Sequence, residues 1–198
     1  MSDLDIILDK TERSMGRRQI QAGHALMVVM VREIGWPIGD VWSALTVPER
    51  LGQWLGTPDG DLRRGGTWNL PDGSHGDILR CDAPRLMTVS WARGERHPAE
   101  LEFRLAAEDS RTRIELRYAS VRKGFALTSD PAGGLWTGGA GWEYFLDQLE
   151  EYVEGRVPEK ALGLMPDLSP DEAMGELFEA RNARWRRAAD DFDQEHAL

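Results

Sequence analysis

Residues Gly141 to Gly155 read GWEYFLDQLEEYVEG, and their apolar positions, Trp142, Phe145, Leu146, Leu149, Tyr152 and Val153, recur at the spacing of a helix with one dry stripe. Gly155 stands where a C′ residue ends such a helix, since glycine takes the left-handed backbone there without steric cost. The stripe needs an apolar surface to lie on, and the stretch from Asp61 to Val121 supplies one. There the period falls to two: segments near 62–70, 76–82, 85–92, 99–107 and 111–121 alternate and are divided by turns such as Pro71-Asp72-Gly73 and Asp82-Ala83-Pro84. Leu101, Phe103 and Leu105 oppose Glu100, Glu102 and Arg104, and Ile114, Leu116 and Tyr118 oppose Arg113, Glu115 and Arg117, so one face is dry and the other wet. The expected class is α+β, a curved antiparallel β-sheet wrapped around one long C-terminal helix.

Working outward, Ala25 to Ile34 (ALMVVMVREI) reads as a strand that is apolar on both faces, with Leu26, Val28 and Met30 on one side and Met27, Val29 and Val31 on the other. Two short helices follow, one near 38–45 after Pro37 and one from Pro48 to Leu55, where Leu51, Trp54 and Leu55 fall at helical spacing. Asp5 to Gln21 is weakly patterned and admits a short strand or helix. Beyond the domain expected over 1–155, residues 156–198 open with a linker. Ser169-Pro170-Asp171-Glu172 then offers an N-cap, an N1 proline and a capping-box acid for a C-terminal amphipathic helix of about 20 residues. Its seam, Met174, Phe178, Arg181, Trp185, Ala188 and Phe192, is interrupted only by Arg181. The seam is expected to cover the outer sheet face near Ala25 to Ile34, within the chain or across a homodimer; truncation at 160 then changes stability or assembly.

Acids outnumber bases 34 to 24, and a net charge of −10 disfavours phosphate backbones and anionic lipid, so neither nucleic acid nor membrane is an expected partner. The single cysteine, Cys81, permits no intramolecular disulfide and no thiolate cluster, which fits a reducing cytoplasm. The longest apolar run, Ala25 to Val31, is seven residues, too short to span a bilayer, and Met1 to Arg13 lacks the basic-then-apolar order of a leader. Four scattered histidines, at 24, 75, 97 and 196, give no metal spacing, and neither metal nor cofactor is expected. Asp72, Ser74 and His75 have the residue types of a catalytic triad, but they sit in a hairpin turn with no Gly-x-Ser-x-Gly elbow, so a turn is expected. Gly138-Gly139-Ala140-Gly141 lacks the Lys-Ser/Thr of a phosphate loop and reads as a lip beside the helix. Arg181, Arg184, Arg186 and Arg187 around Trp185 follow acids in the earlier turns, the order the helix dipole favours, rather than marking an RNA strip.

Val41-Trp42-Ser43-Ala44-Leu45-Thr46-Val47-Pro48-Glu49-Arg50-Leu51 with Trp54 resembles the VWxALTxPExLxxW opening of the activator-of-heat-shock-protein-90-ATPase-like family. Leu62 with Gly65-Gly66 and Trp68, Gly76-Asp77-Ile78-Leu79, Ala83-Pro84-Arg85-Leu86, and Gly141-Trp142 with Leu146, Leu149, Glu150 and Gly155 follow in that family's order, across roughly 25–155. Arg64 departs from the proline usual before the glycine pair, and the tail from 156 lies outside the pattern. The resemblance implies the START-like, or SRPBCC, helix-grip fold, whose sheet and long helix enclose an apolar cavity. It implies a lining of Trp68, Trp91, Phe103, Tyr118, Trp142 and Phe145, with Trp54 near the entrance and the Tyr118 hydroxyl as the polar tip. The expected function is non-enzymatic binding of a small apolar or aromatic ligand. The alternatives are a polyketide cyclase or hydrolase in which His75, Tyr118 or a cavity carboxylate moves a proton, and a module that activates a chaperone ATPase.

Overall fold

The computed structural model describes residues 2–93, 99–121, 139–156 and 172–196. Seven strands, β1 (Glu12–Ile20), β2 (Gly23–Ile34), β3 (Thr67–Asn69), β4 (Ser74–Asp82), β5 (Leu86–Arg93), β6 (Ala99–Glu108) and β7 (Arg111–Ser120), form one sheet in the order β1-β2-β7-β6-β5-β4-β3, each pair antiparallel. Among the described residues five helices accompany it: α1 (Asp3–Asp9), α2 (Ile38–Thr46), α3 (Pro48–Leu51), α4 (Gly139–Val153) and α5 (Glu172–His196). Among the described residues no helix is long and apolar enough to cross a membrane. The lip glycines up to Gly138, most of the linker and the Ser169-Pro170-Asp171 cap lie outside the described residues.

The alternation read from β6 and β7 fixes the layers. Leu101, Phe103, Leu105, Ile114 and Leu116 are buried together with Val28, Met30 and Ile34 of β2, and α4 lays Trp142, Phe145, Leu146 and Leu149 on them. This is the helix-grip architecture. α4 ends where expected: Gly155 has φ +77°, its N–H donates to the Tyr152 carbonyl, and the Arg156 N–H donates to Glu151, the paired bonds of a Schellman motif. The weakly patterned start resolves into α1, capped by Ser2 and Asp5, and β1. The second short helix stops sooner than its apolar spacing suggests. α3 covers only Pro48–Leu51, because Gly52, a poor helix former, takes its C-cap and the chain continues in turns to Leu55.

The tail departs further from expectation. α5 does not lie on the outer face; it packs beside α4 and against β1 on the inner side, where Trp185 joins the main core and Phe178 meets Tyr144 at 6.0 Å. The close approach to α4 is possible because residue 139 is glycine: a Cβ there would fall 1.9 Å from the Trp185 ring. The seam is thus used within the chain. On the outer face, β2 instead contributes Ala25 and Met27 to a small cluster with Ile20 and Ala119.

The wet face also differs from a plain solvated surface. Glu102 is 2 % exposed; it accepts from Arg104 at 2.7 Å, Arg18 at 3.1 Å and Thr88 at 3.1 Å, and Arg117 lies 3.7 Å away. Burial by itself raises its pKa, but the Arg104 hydrogen bond and the charges of Arg18 and Arg104 outweigh that and leave it below the ordinary glutamate value. A depressed carboxylate stabilises the fold above its unfolded pKa and loses that contribution as pH falls through the folded one. The stability difference between the wild type and Glu102→Gln, read from urea unfolding, is therefore expected to be full at pH 7 and to shrink as pH is lowered below about 4.3.

Candidate functional site

A cavity of about 120 Å³ remains between the sheet, the grip helix and the α2–α3 segment. Its floor is Phe103 of β6, Val89 and Trp91 of β5, and Phe145 of α4; Trp68, Leu70 and Ile78 close one side. Leu45 and Thr46 of α2 and Leu51 and Leu55 beyond it form the opposite wall, brought over the sheet by the two short helices that interrupt the strands. Pro58 and Leu62 stand at the mouth, and Leu62 is 38 % exposed. An engineered apolar cavity of about 150 Å³ stays dry and takes benzene, so this volume suits a single ring.

Of the seven aromatic residues named from the sequence, Trp68, Trp91, Phe103 and Phe145 line the cavity. Trp142, Tyr118 and Trp54 do not; they pack behind those rings. Trp142 meets Trp91 at 5.3 Å, Tyr118 at 5.1 Å and Phe145 at 5.5 Å, while Trp54 meets Phe145 at 4.9 Å. Trp54 is a buried core residue rather than a gatepost, its indole donating to the Ala44 carbonyl at 3.1 Å. The aromatic chain therefore fills the end of the interior toward β7 and leaves the hollow toward β4 and β5.

Two features escaped the sequence reading. Pairing of β4 with β5 shifts between Ile78 and Arg80, so that Cys81 comes opposite Met87 and both face the cavity. This bulge puts the one free thiol, an exposed one, on the cavity wall. The second is a buried ion network on the far side of α4. Glu143 is fully buried and takes both nitrogens of a bidentate Arg13, at 2.7 and 2.6 Å, together with the Trp185 indole N–H at 2.7 Å. Arg181, the charged interruption of the α5 seam, is also fully buried; it donates to Asp147 at 2.6 Å and its Nε lies 3.2 Å from Glu143. Arg32 of β2 donates to the same Asp147 at 2.7 Å and to Thr11 at 2.8 Å. With Trp185 and Arg181 enclosed in this way, neither is available to stack on or pair with a nucleic acid.

The triad residue types form a turn. Ser74 donates its backbone N–H at 2.9 Å and its hydroxyl at 3.0 Å to Asp72, and His75 Nδ1 lies 3.2 Å from the Gly73 carbonyl. His75 pairs with Asn69, whose neighbour Trp68 lines the cavity, so strand alternation turns His75 away from it.

The family model described as activator of Hsp90 ATPase homolog 1-like protein matches residues 36–154. The chain belongs to this family. Among solved structures, CalU16 from Micromonospora echinospora is 33 % identical in its solution structure, with 91 % of this chain and 96 % of that one covered and a TM-score of 0.76. An Hsp90 activator from Plasmodium falciparum is 18 % identical over 65 % of this chain and 96 % of its own, with a TM-score of 0.55, and DynU16 of the dynemicin biosynthetic locus is 20 % identical over 66 % and 48 %, at 0.56. Both show the shared fold. No curated protein matches significantly. The Hsp90-activator-like model begins at Trp36 and ends at Glu154, so it takes in the whole cavity wall and leaves out α1, β1, β2 and α5. The ion network ties those outlying elements to α4.

Proposed function

We propose that this member of the Hsp90-activator-like family binds a small apolar or aromatic molecule non-covalently in the cavity between sheet and grip helix. The observation that carries the reading is the cavity itself, about 120 Å³ walled almost wholly by aliphatic and aromatic side chains. Burial of guest surface at about 25 cal/mol per Å² would supply the affinity. Among the described residues the wall contains no carboxylate, histidine or lysine; its titratable group there is the Cys81 thiol, and the Thr46 hydroxyl donates its proton to the Trp42 carbonyl at 2.8 Å. Proton-transfer chemistry needs a group within reach of the guest, and His75 and Tyr118 do not line the space. That favours binding over a cyclase or hydrolase role. The reducing compartment expected from the sequence would keep Cys81 a thiol.

Titration with toluene is expected to change tryptophan fluorescence saturably, since Trp68 and Trp91 stand in the wall. Val89→Phe, which places a ring in the same space, is expected to weaken that response at least tenfold while costing about 1–3 kcal/mol of stability from overpacking. A response that persists unchanged in Val89→Phe would refute the assignment. Mass spectrometry of small molecules released when the purified protein is denatured would then identify the natural guest.

A further inference from the structure

The binding reading above, on which this inference rests, leaves open which residue holds the guest to one ring, and the strand register singles it out. Residues paired directly across neighbouring strands point to the same face, so the wall divides into rows. β4 and β5 pair His75 with Ala92 and Ile78 with Val89, which sets Gly76 opposite Trp91. β3 pairs Trp68 with Gly76, and β6 sets Ala99 against Trp91. One row therefore carries two indoles on either side of a residue without a side chain. A Cβ at Gly76 would fall 1.9 Å from the Ser90 carbonyl oxygen, so this strand puts nothing between them. The two rings lean together across the glycine to 4.5 Å, and Trp142 meets Trp91 edge-on at 5.3 Å.

Ile78 and Val89 form the next row, and beyond the bulge Cys81, Met87 and Phe103 form the third; all five line the cavity. The hollow thus runs along β5 from an indole wall at Trp91 to the exposed Cys81 beside Met87, four residues or about 13 Å of strand. We propose that Trp91 is the specificity-determining residue of the site, the end stop that confines the guest to a single aromatic ring. Phe103 and Phe145 also border the hollow, but each is 3 % exposed and built into the core, so shortening either opens the core itself. Trp91 is half-buried near the end of β5, and shortening it lengthens the hollow along its axis.

Toluene and naphthalene test this by calorimetric titration. Burial alone favours naphthalene, which has more apolar surface, so a preference for toluene reports the end stop. The wild type is expected to bind toluene about tenfold more tightly than naphthalene, and Trp91→Ala to shift that ratio by about tenfold or more toward naphthalene. The probes' different affinities for water are common to both proteins and cancel. In the wild type, nuclear Overhauser contacts are expected between toluene and the Trp91 indole protons, a readout that needs no variant to fold. Naphthalene binding the wild type as tightly as toluene, a ratio unchanged in Trp91→Ala, or bound toluene without contact to Trp91 would each overturn the end stop while toluene binding upheld the cavity. Failure of toluene to bind the wild type would overturn the binding reading together with it.

Discussion

Glu143→Ala is expected to destabilise the fold by about 3–5 kcal/mol and to loosen α5 from the grip helix, because the carboxylate that two buried arginines share would be gone. Arg13, Arg181 and the Trp185 indole all converge on this one side chain, from β1 and from α5. Removing it strands the Arg13 charge, whose side chain is 8 % exposed, and leaves the fully buried Arg181 with Asp147 alone. Cations desolvated without a counter-charge are among the few defects that cost this much. Urea unfolding measures the loss, and limited proteolysis within 172–196 measures the release. A loss below about 1 kcal/mol with α5 still protected would mean that apolar packing of Phe178 and Trp185, not the ion network, holds the tail.

Phe145→Ala is expected to cost about 3–5 kcal/mol, and part of that loss should return when a guest is added. Phe145 is buried between Trp54 at 4.9 Å, Trp142 at 5.5 Å and Phe103 at 5.7 Å, and its ring also forms part of the existing wall. Truncation therefore extends a hollow already present instead of opening an isolated one. Toluene at a hundredfold excess over its dissociation constant stabilises a binding-competent state by about 2.7 kcal/mol, and thermal melts with and without toluene would show it. If toluene restored nothing to Phe145→Ala, the enlarged space would have collapsed, and the rigidity of the surrounding walls would have been overestimated.

The residues differ in how openly they declare these roles. β6, β7 and α4 were legible because the core-facing apolar residues of each fall on one face, and a one-sided apolar stripe imprints its period on the sequence, although Glu102 and Glu143 are buried on the opposite sides. The α5 seam announced that it was dry, but periodicity does not say which surface receives a seam, so its place beside α4 was not legible. Glu143 looks solvent-facing in a helix that also carries Glu150, Glu151 and Glu154; only the fold brings Arg13 and Arg181, from 130 and 38 positions away, onto it. Cys81 was invisible for a different reason. Strict alternation from Ile78 carries the cysteine's side chain to the outer face, and a bulge of one residue reverses it. The aromatic residues were readable as a group, yet which of them border empty space depends on packing distances that residue order does not encode. That is why Trp54, Tyr118 and Trp142 are found behind the wall.

The hollow between Leu45, Val89, Phe103 and Phe145 is the claim on which the functional reading stands, and a crystal structure of the protein equilibrated with toluene tests it most directly. The account predicts density for one ring among those four side chains, with the sheet and α4 unmoved. Side chains closed upon one another there, with toluene absent or found only on the exterior, would contradict it.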